Sequence, residues 1–78
     1  MKVTAYFLET QLRPDRQCIK REWIEQAILN PDAEHIQHDG RIRRWKRIEG
    51  AGGRMLRIVL LEDGETIHNA FFDRRFKE

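Results

Sequence analysis

Two groups of side chains in this sequence carry reactive or ligand-binding chemistry. The first is a run of cations around one aromatic ring: Arg41, Arg43, Arg44, Lys46 and Arg47 surround Trp45, and Arg54 and Arg57 follow. An aromatic ring among guanidinium groups suits single-stranded RNA, with the ring against a base and the cations on phosphates. The second group is His68 with the basic end Arg74-Arg75. Metal-free RNA cleavage needs a base for the 2′-hydroxyl, an acid for the leaving oxygen and cations for the phosphorane. His68 is the candidate acid/base, because an unperturbed imidazole titrates near neutrality. Arg57 and Arg74 are candidate phosphate clamps, because the guanidinium fork matches phosphate oxygens. Arg41, Arg43, Trp45, Arg47 and Arg75 are the candidate RNA contacts.

Each of these has a structural alternative. His68 also fits as a histidine packed between Thr66, Ala70 and Phe72. Trp45 also fits packed inward against a helix, and Arg74-Arg75 also reads as an ordinary basic tail. The cation run also reads as a solvated sheet face laced with salt bridges, which are weak at a surface.

Other chemistries are poorly served. His35 and His38 lie three apart beside Asp39. On a strand that spacing puts them on opposite faces, so no metal site is expected. The chain contains no serine, which removes a Ser-His-Asp set. Gly50-Ala51-Gly52-Gly53 lacks the Lys-Ser/Thr of a phosphate-binding loop. The single cysteine, Cys18, allows no intramolecular disulfide and is expected as a small buried residue. No cofactor is expected.

The elements that must hold these groups follow from pattern. The 78 residues make one domain, residues 1–78, with room for one small core. A chain 40% hydrophobic and 36% charged folds rather than staying disordered. Asp39-Gly40 and Asp63-Gly64 are hairpin signals, and Glu49-Gly50-Ala51-Gly52-Gly53 is a third connection. They divide the second half into strands at about 34–38, 41–48, 54–61 and 66–72. Met55–Leu61 is apolar on both parities, as a central strand is. Period 2 puts Arg41, Arg43 and Arg47 on the face of Trp45, and Arg44 and Lys46 on the other. The poor alternation of 41–48 points to a bulge or an edge strand. In the last strand Ile67, Asn69 and Phe71 are expected on one face, with His68, Ala70 and Phe72 opposite.

In the first half, Ile19, Trp23, Ala27 and Ile28 form a helical stripe that predicts a helix over 20–29, stopped by Asn30-Pro31. Trp23 is expected in the core. Residues 4–12 read as a short helix capped by Thr4, with a strand over Val3–Leu8 as the alternative. The fold class is therefore α+β, with one or two N-terminal helices packed on a four-stranded antiparallel meander.

This order of elements resembles a family. A turn Arg13-Pro14-Asp15-Arg16 precedes the helix ending in Asn30-Pro31. Asp39-Gly40-Arg41, Leu56-Arg57-Ile58-Val59, Glu62-Asp63-Gly64 and Asn69-Ala70-Phe71-Phe72-Asp73-Arg74-Arg75 follow. Together they are similar to small bacterial domains related to the RelE/ParE and BrnT toxins. The resemblance implies helices on one side of a small antiparallel sheet, RNA as the target and a small acidic antitoxin as partner. The chain carries neither the lysine-rich helix nor the terminal tyrosine of the RelE pattern.

Charge narrows the partners. Net charge is only +2, yet residues 41–57 hold seven basic side chains against Glu49 alone, so an acidic partner is favoured. The reading is a toxin-like protein that binds RNA, with cleavage left open. The alternative is a non-catalytic module that takes an acidic protein segment or pairs with a second copy. The longest apolar run, Ile58–Leu61, is too short to span a bilayer, and a cytoplasmic setting is expected.

Overall fold

Thr4 decides the ambiguous start. In the computed structural model, which describes residues 2–76, Thr4 has extended backbone and its Oγ1 accepts the Phe7 amide at 3.1 Å. That satisfies one orphan donor of a helix start, and α1 (Ala5–Gln11) follows. Its Phe7 and Thr10 turn inward while Tyr6 and Leu8 stay exposed. The chain then turns into α2 (Arg21–Leu29). Ile24 and Ala27 are buried there, but Trp23 is only half-buried. It meets Phe72 edge-on at 6.1 Å and carries the Lys20 ammonium 5.3 Å above its ring. Cys18 is exposed, against expectation. It belongs to the turn before the buried stripe starts at Ile19, and its Sγ is 3.5 Å from the Asp15 carbonyl.

The second half is a meander of β1 (Ala33–Ile36), β2 (Ile42–Ile48), β3 (Arg54–Leu60) and β4 (Ile67–Phe72), antiparallel in the order β1-β2-β3-β4. The α+β expectation holds. Both Asp-Gly turns are present. Gly40 (φ 92°) and Gly64 (φ 69°) adopt positive φ, where a side chain would be strained. Asp63 organises the second turn: its carboxylate accepts the amides of Glu65 and Thr66 and the Thr66 hydroxyl.

The core lies between the helices and one sheet face. Leu56, Ile58 and Leu60 of β3 are fully buried there with Ile48, Ile67 and Ala70, under Phe7, Ile19, Ile24 and Ala27. Met55, Val59 and Trp45 are buried on the other face. β3 is thus covered on both sides, as its double apolar parity requires.

Two register expectations are corrected. β2 is neither an edge nor bulged, since it pairs continuously with β1 and β3. The irregularity is in β4: Leu60 pairs with Ile67 but Val59 with Asn69, so His68 is an extra residue. A bulge changes the face of everything after it. Ile67, Ala70 and Phe72 therefore share the core side, and Asn69 and Phe71 the opposite one. The N-terminal segment pairs with β4 at the same place, through a parallel bridge of Val3 to Ile67. Among the described residues, no helix is long and apolar enough to cross a membrane.

Hydrogen bonds from the Thr66 side chain, then from the Thr66 and Glu65 amides, lower the Asp63 carboxyl to about 2. A depressed carboxyl stabilises the fold above its ordinary pKa near 3.8, and that contribution is lost as pH falls towards the folded value. Carboxyl NMR titration is expected to place Asp63 near 2, and Thr66→Val is expected to move it back up. An Asp63 midpoint that ignores the substitution would contradict this turn.

Candidate nucleic-acid interface

The pairing register writes two rows of side chains across the face away from the helices. Ala33, Trp45, Arg57 and Phe71 stand opposite one another on successive strands. His35, Arg43, Val59 and Asn69 form the next row. Arg47 lies opposite Met55 beyond the first. Period 2 thus separates the cations of β2 as expected, with Arg43 and Arg47 beside Trp45.

The opposite set, Arg44 and Lys46, is spent on structure. Arg44 pairs with Glu34 at 2.6 Å and donates to the Ile28 carbonyl at 2.8 Å, where α2 ends with unsatisfied acceptors. Lys46 lies 3.6 Å from Asp32. The Asp32 carboxyl is lowered chiefly by the hydrogen bond from the Arg47 amide; burial opposes this, and the nearby Lys46 and Arg47 charges add to the lowering.

The open face holds charge differently. The Arg57 guanidinium lies 5.1 Å from the Phe71 ring centre and 5.8 Å from that of Trp45. Arg16 reaches Phe71 at 5.2 Å and donates to Asn69 Oδ1 and the Ala70 carbonyl. The Nε atoms of Arg43 and Arg57 are shut off from solvent and have no acceptor among the described residues. Burial, and next the charge of Arg43, push the Arg57 pKa down, while Asp73 opposes them. It remains a cation at neutral pH. Donors left without an acceptor in a low dielectric are costly, so these two atoms are the unmet donors of this face among the described residues.

An anion of the chain itself reaches this face. Asp73 follows β4, and its Oδ2 accepts the Trp45 indole N–H at 3.0 Å and lies 3.6 Å from Arg57 Nη1. Burial by itself would raise the Asp73 carboxyl. The Trp45 indole, the Arg75 amide and Arg57 outweigh it and hold the group below its ordinary range. Phe76 then lies against Trp45 with ring centres 5.1 Å apart. Trp45 is accordingly only 9% exposed, although it is on the sheet face away from the helices. Its cover is the tail, not a helix.

The remaining candidates fall elsewhere. Arg47 is exposed and donates to the Gly53 carbonyl. Arg41 is exposed in the first hairpin beside Asp39. Arg74 and Arg75 are exposed in the turn after β4; Arg74 borders a hollow with Arg54 and Phe72. Among the described residues, no cluster of histidine, cysteine and carboxylate side chains is arranged to hold a metal.

His68 does not meet the clamps. Its ring stacks on Tyr6 at 4.8 Å, and Nδ1 is 3.1 Å from Thr4 Oγ1. It therefore packs at the start of α1 rather than between Thr66, Ala70 and Phe72. Arg57 stands opposite Phe71, three residues along β4, which is about 10 Å of strand. Arg74 lies beyond the far end of the same strand. Phe71, Asp73, Phe76 and Arg16 are the participants that sequence reasoning missed. The bulge hid the side of Phe71, and only folding brings Asp73 and Phe76 back over the sheet. A single acid among the basic residues Arg74 and Arg75 was the legible hint.

Comparison of the chain with protein-family models, curated proteins and solved structures found no match.

Burial, and then the nearby Arg41 charge, push the His68 pKa below the ordinary 6.5. A histidine lowered by folding stabilises the protein above its unfolded pKa, and this is lost as pH falls through the folded value. NMR titration is expected to give a midpoint below 6.5 that rises in Arg41→Gln. A midpoint at or above 6.5 would mean that the ring is hydrated and free of that cation.

Proposed function

We propose that this protein is a toxin-like RNA-binding protein that takes single-stranded RNA on the row Trp45, Arg57 and Phe71, with Arg43 beside it. The observation that carries this reading is the pair of buried guanidinium Nε atoms without acceptors, next to two aromatic rings on one face. Bases stack on aromatic rings whatever their sequence, and phosphate oxygens supply the missing acceptors. The toxin-like setting comes from the family resemblance, with a small acidic antitoxin-like protein as its counterpart.

Binding without cleavage is what the arrangement supports. Cleavage needs two proton-transfer groups around one phosphate. His68 is held at α1, about 10 Å of strand from the row, and His35 is the lone imidazole in the rows of the open face. The second reading, an acidic protein segment on the same face, is favoured by one observation: the group already bound to Arg57 and Trp45 is a carboxylate.

Titration of labelled octauridylate at low salt tests the proposal. Binding is expected to weaken with salt, with a log–log slope of about −2 if three phosphates are neutralised. Arg43→Gln is expected to weaken binding about five- to tenfold and to flatten the slope by about 0.7. His68→Ala is expected to change neither, and the RNA is expected to stay intact. No binding at low salt would sink the RNA reading. Cleavage that disappears in His35→Ala would overturn its non-catalytic part.

A further inference from the structure

We infer that Asp73 and Phe76 occupy a mononucleotide subsite, the carboxylate standing where a phosphate binds between Trp45 and Arg57 and the phenyl ring standing where a base stacks on Trp45. This rests on the RNA-binding reading of the open face and names the position and chemistry of one ligand unit on it. The argument is one of correspondence. Asp73 Oδ2 takes the two groups that a phosphate oxygen would take, the Trp45 indole N–H at 3.0 Å and Arg57 Nη1 at 3.6 Å. Phe76 lies against Trp45 with ring centres 5.1 Å apart at a 42° tilt, in the place where a base would meet the indole.

The match is incomplete in a telling way. A carboxylate brings two oxygens and one charge, and the Nε atoms of Arg43 and Arg57 remain without an acceptor. A phosphate group brings more acceptor oxygens to Trp45 and Arg57 than the carboxylate does. The tail is also reachable. Arg47, Met55 and Phe76 border two neighbouring hollows of about 810 and 310 Å³, so the Phe76 ring lies at their wall. RNA binding therefore requires the tail to leave. The measured affinity is the intrinsic one reduced by the fraction of molecules with the tail displaced.

The decisive measurement uses the unmodified chain. The wild-type protein is expected to show proton–proton contacts between the Trp45 and Phe76 rings, and these are expected to vanish on saturation with octauridylate while the Trp45 indole N–H resonance shifts. Phe76→Ala and Asp73→Asn are each expected to bind octauridylate about tenfold more tightly. Persistence of the ring contacts in the saturated complex, or variants that bind no tighter than wild type, would overturn the subsite while leaving RNA binding intact. Failure of all three proteins to bind octauridylate would remove the RNA-binding reading and the subsite together. Capture of an acidic peptide in place of the oligonucleotide would likewise overturn the nucleotide assignment.

Discussion

The register of β3 between β2 and β4 is the constraint on which the rest of this protein depends. Leu56, Ile58 and Leu60 are fully buried on the helix side. A slip of one residue would turn Arg57 into that core and the leucines out. The apolar pattern therefore fixes the cations on the far face as firmly as it fixes the core. Trp45, Arg57 and Phe71 align because each stands opposite its neighbour in this register. The candidate surface is thus a by-product of core packing, held by the most buried strand of the fold.

Charge is treated unequally on the two faces. On the helix side, Arg44 and Lys46 find carboxylates, and Arg44 also closes the end of α2. These pairs can be read as architecture. On the open face Arg43 and Arg57 are crowded together, and Asp73 pairs with Arg57. Arginine tolerates such a site better than lysine, because its planar, weakly hydrated cation lies flat against aromatic rings.

The bulge at His68 separates two kinds of chemistry. It lets β4 keep Ile67 and Ala70 both in the core while the chain also pairs with Val3. The extra residue is directed to the start of α1, where Tyr6 and Thr4 hold it. An imidazole with a lowered pKa often marks a reaction centre. Here burial against α1 accounts for the lowering, and Thr4 ties the first helix to the last strand through the same ring.

Much of the architecture was legible in the residues alone. Thr4 as a cap, the stripe from Ile19 to Ile28, and the two Asp-Gly turns are local signals, decided by neighbours within a few positions. Period 2 separated Arg43, Trp45 and Arg47 from Arg44 and Lys46, because alternation is a property of any strand. What the sequence could not determine is where alternation breaks. The bulge sits where β4 pairs with both β3 and the N-terminal segment, partners about eight and sixty-four positions away. It moved Phe71 onto the cationic row and His68 off it. The cover over Trp45 is also a tertiary outcome, since Asp73 and Phe76 return across the sheet to a residue on β2. Local patterns encode the faces of each strand. Only long-range pairing decides which faces, and which charges, come to share a site.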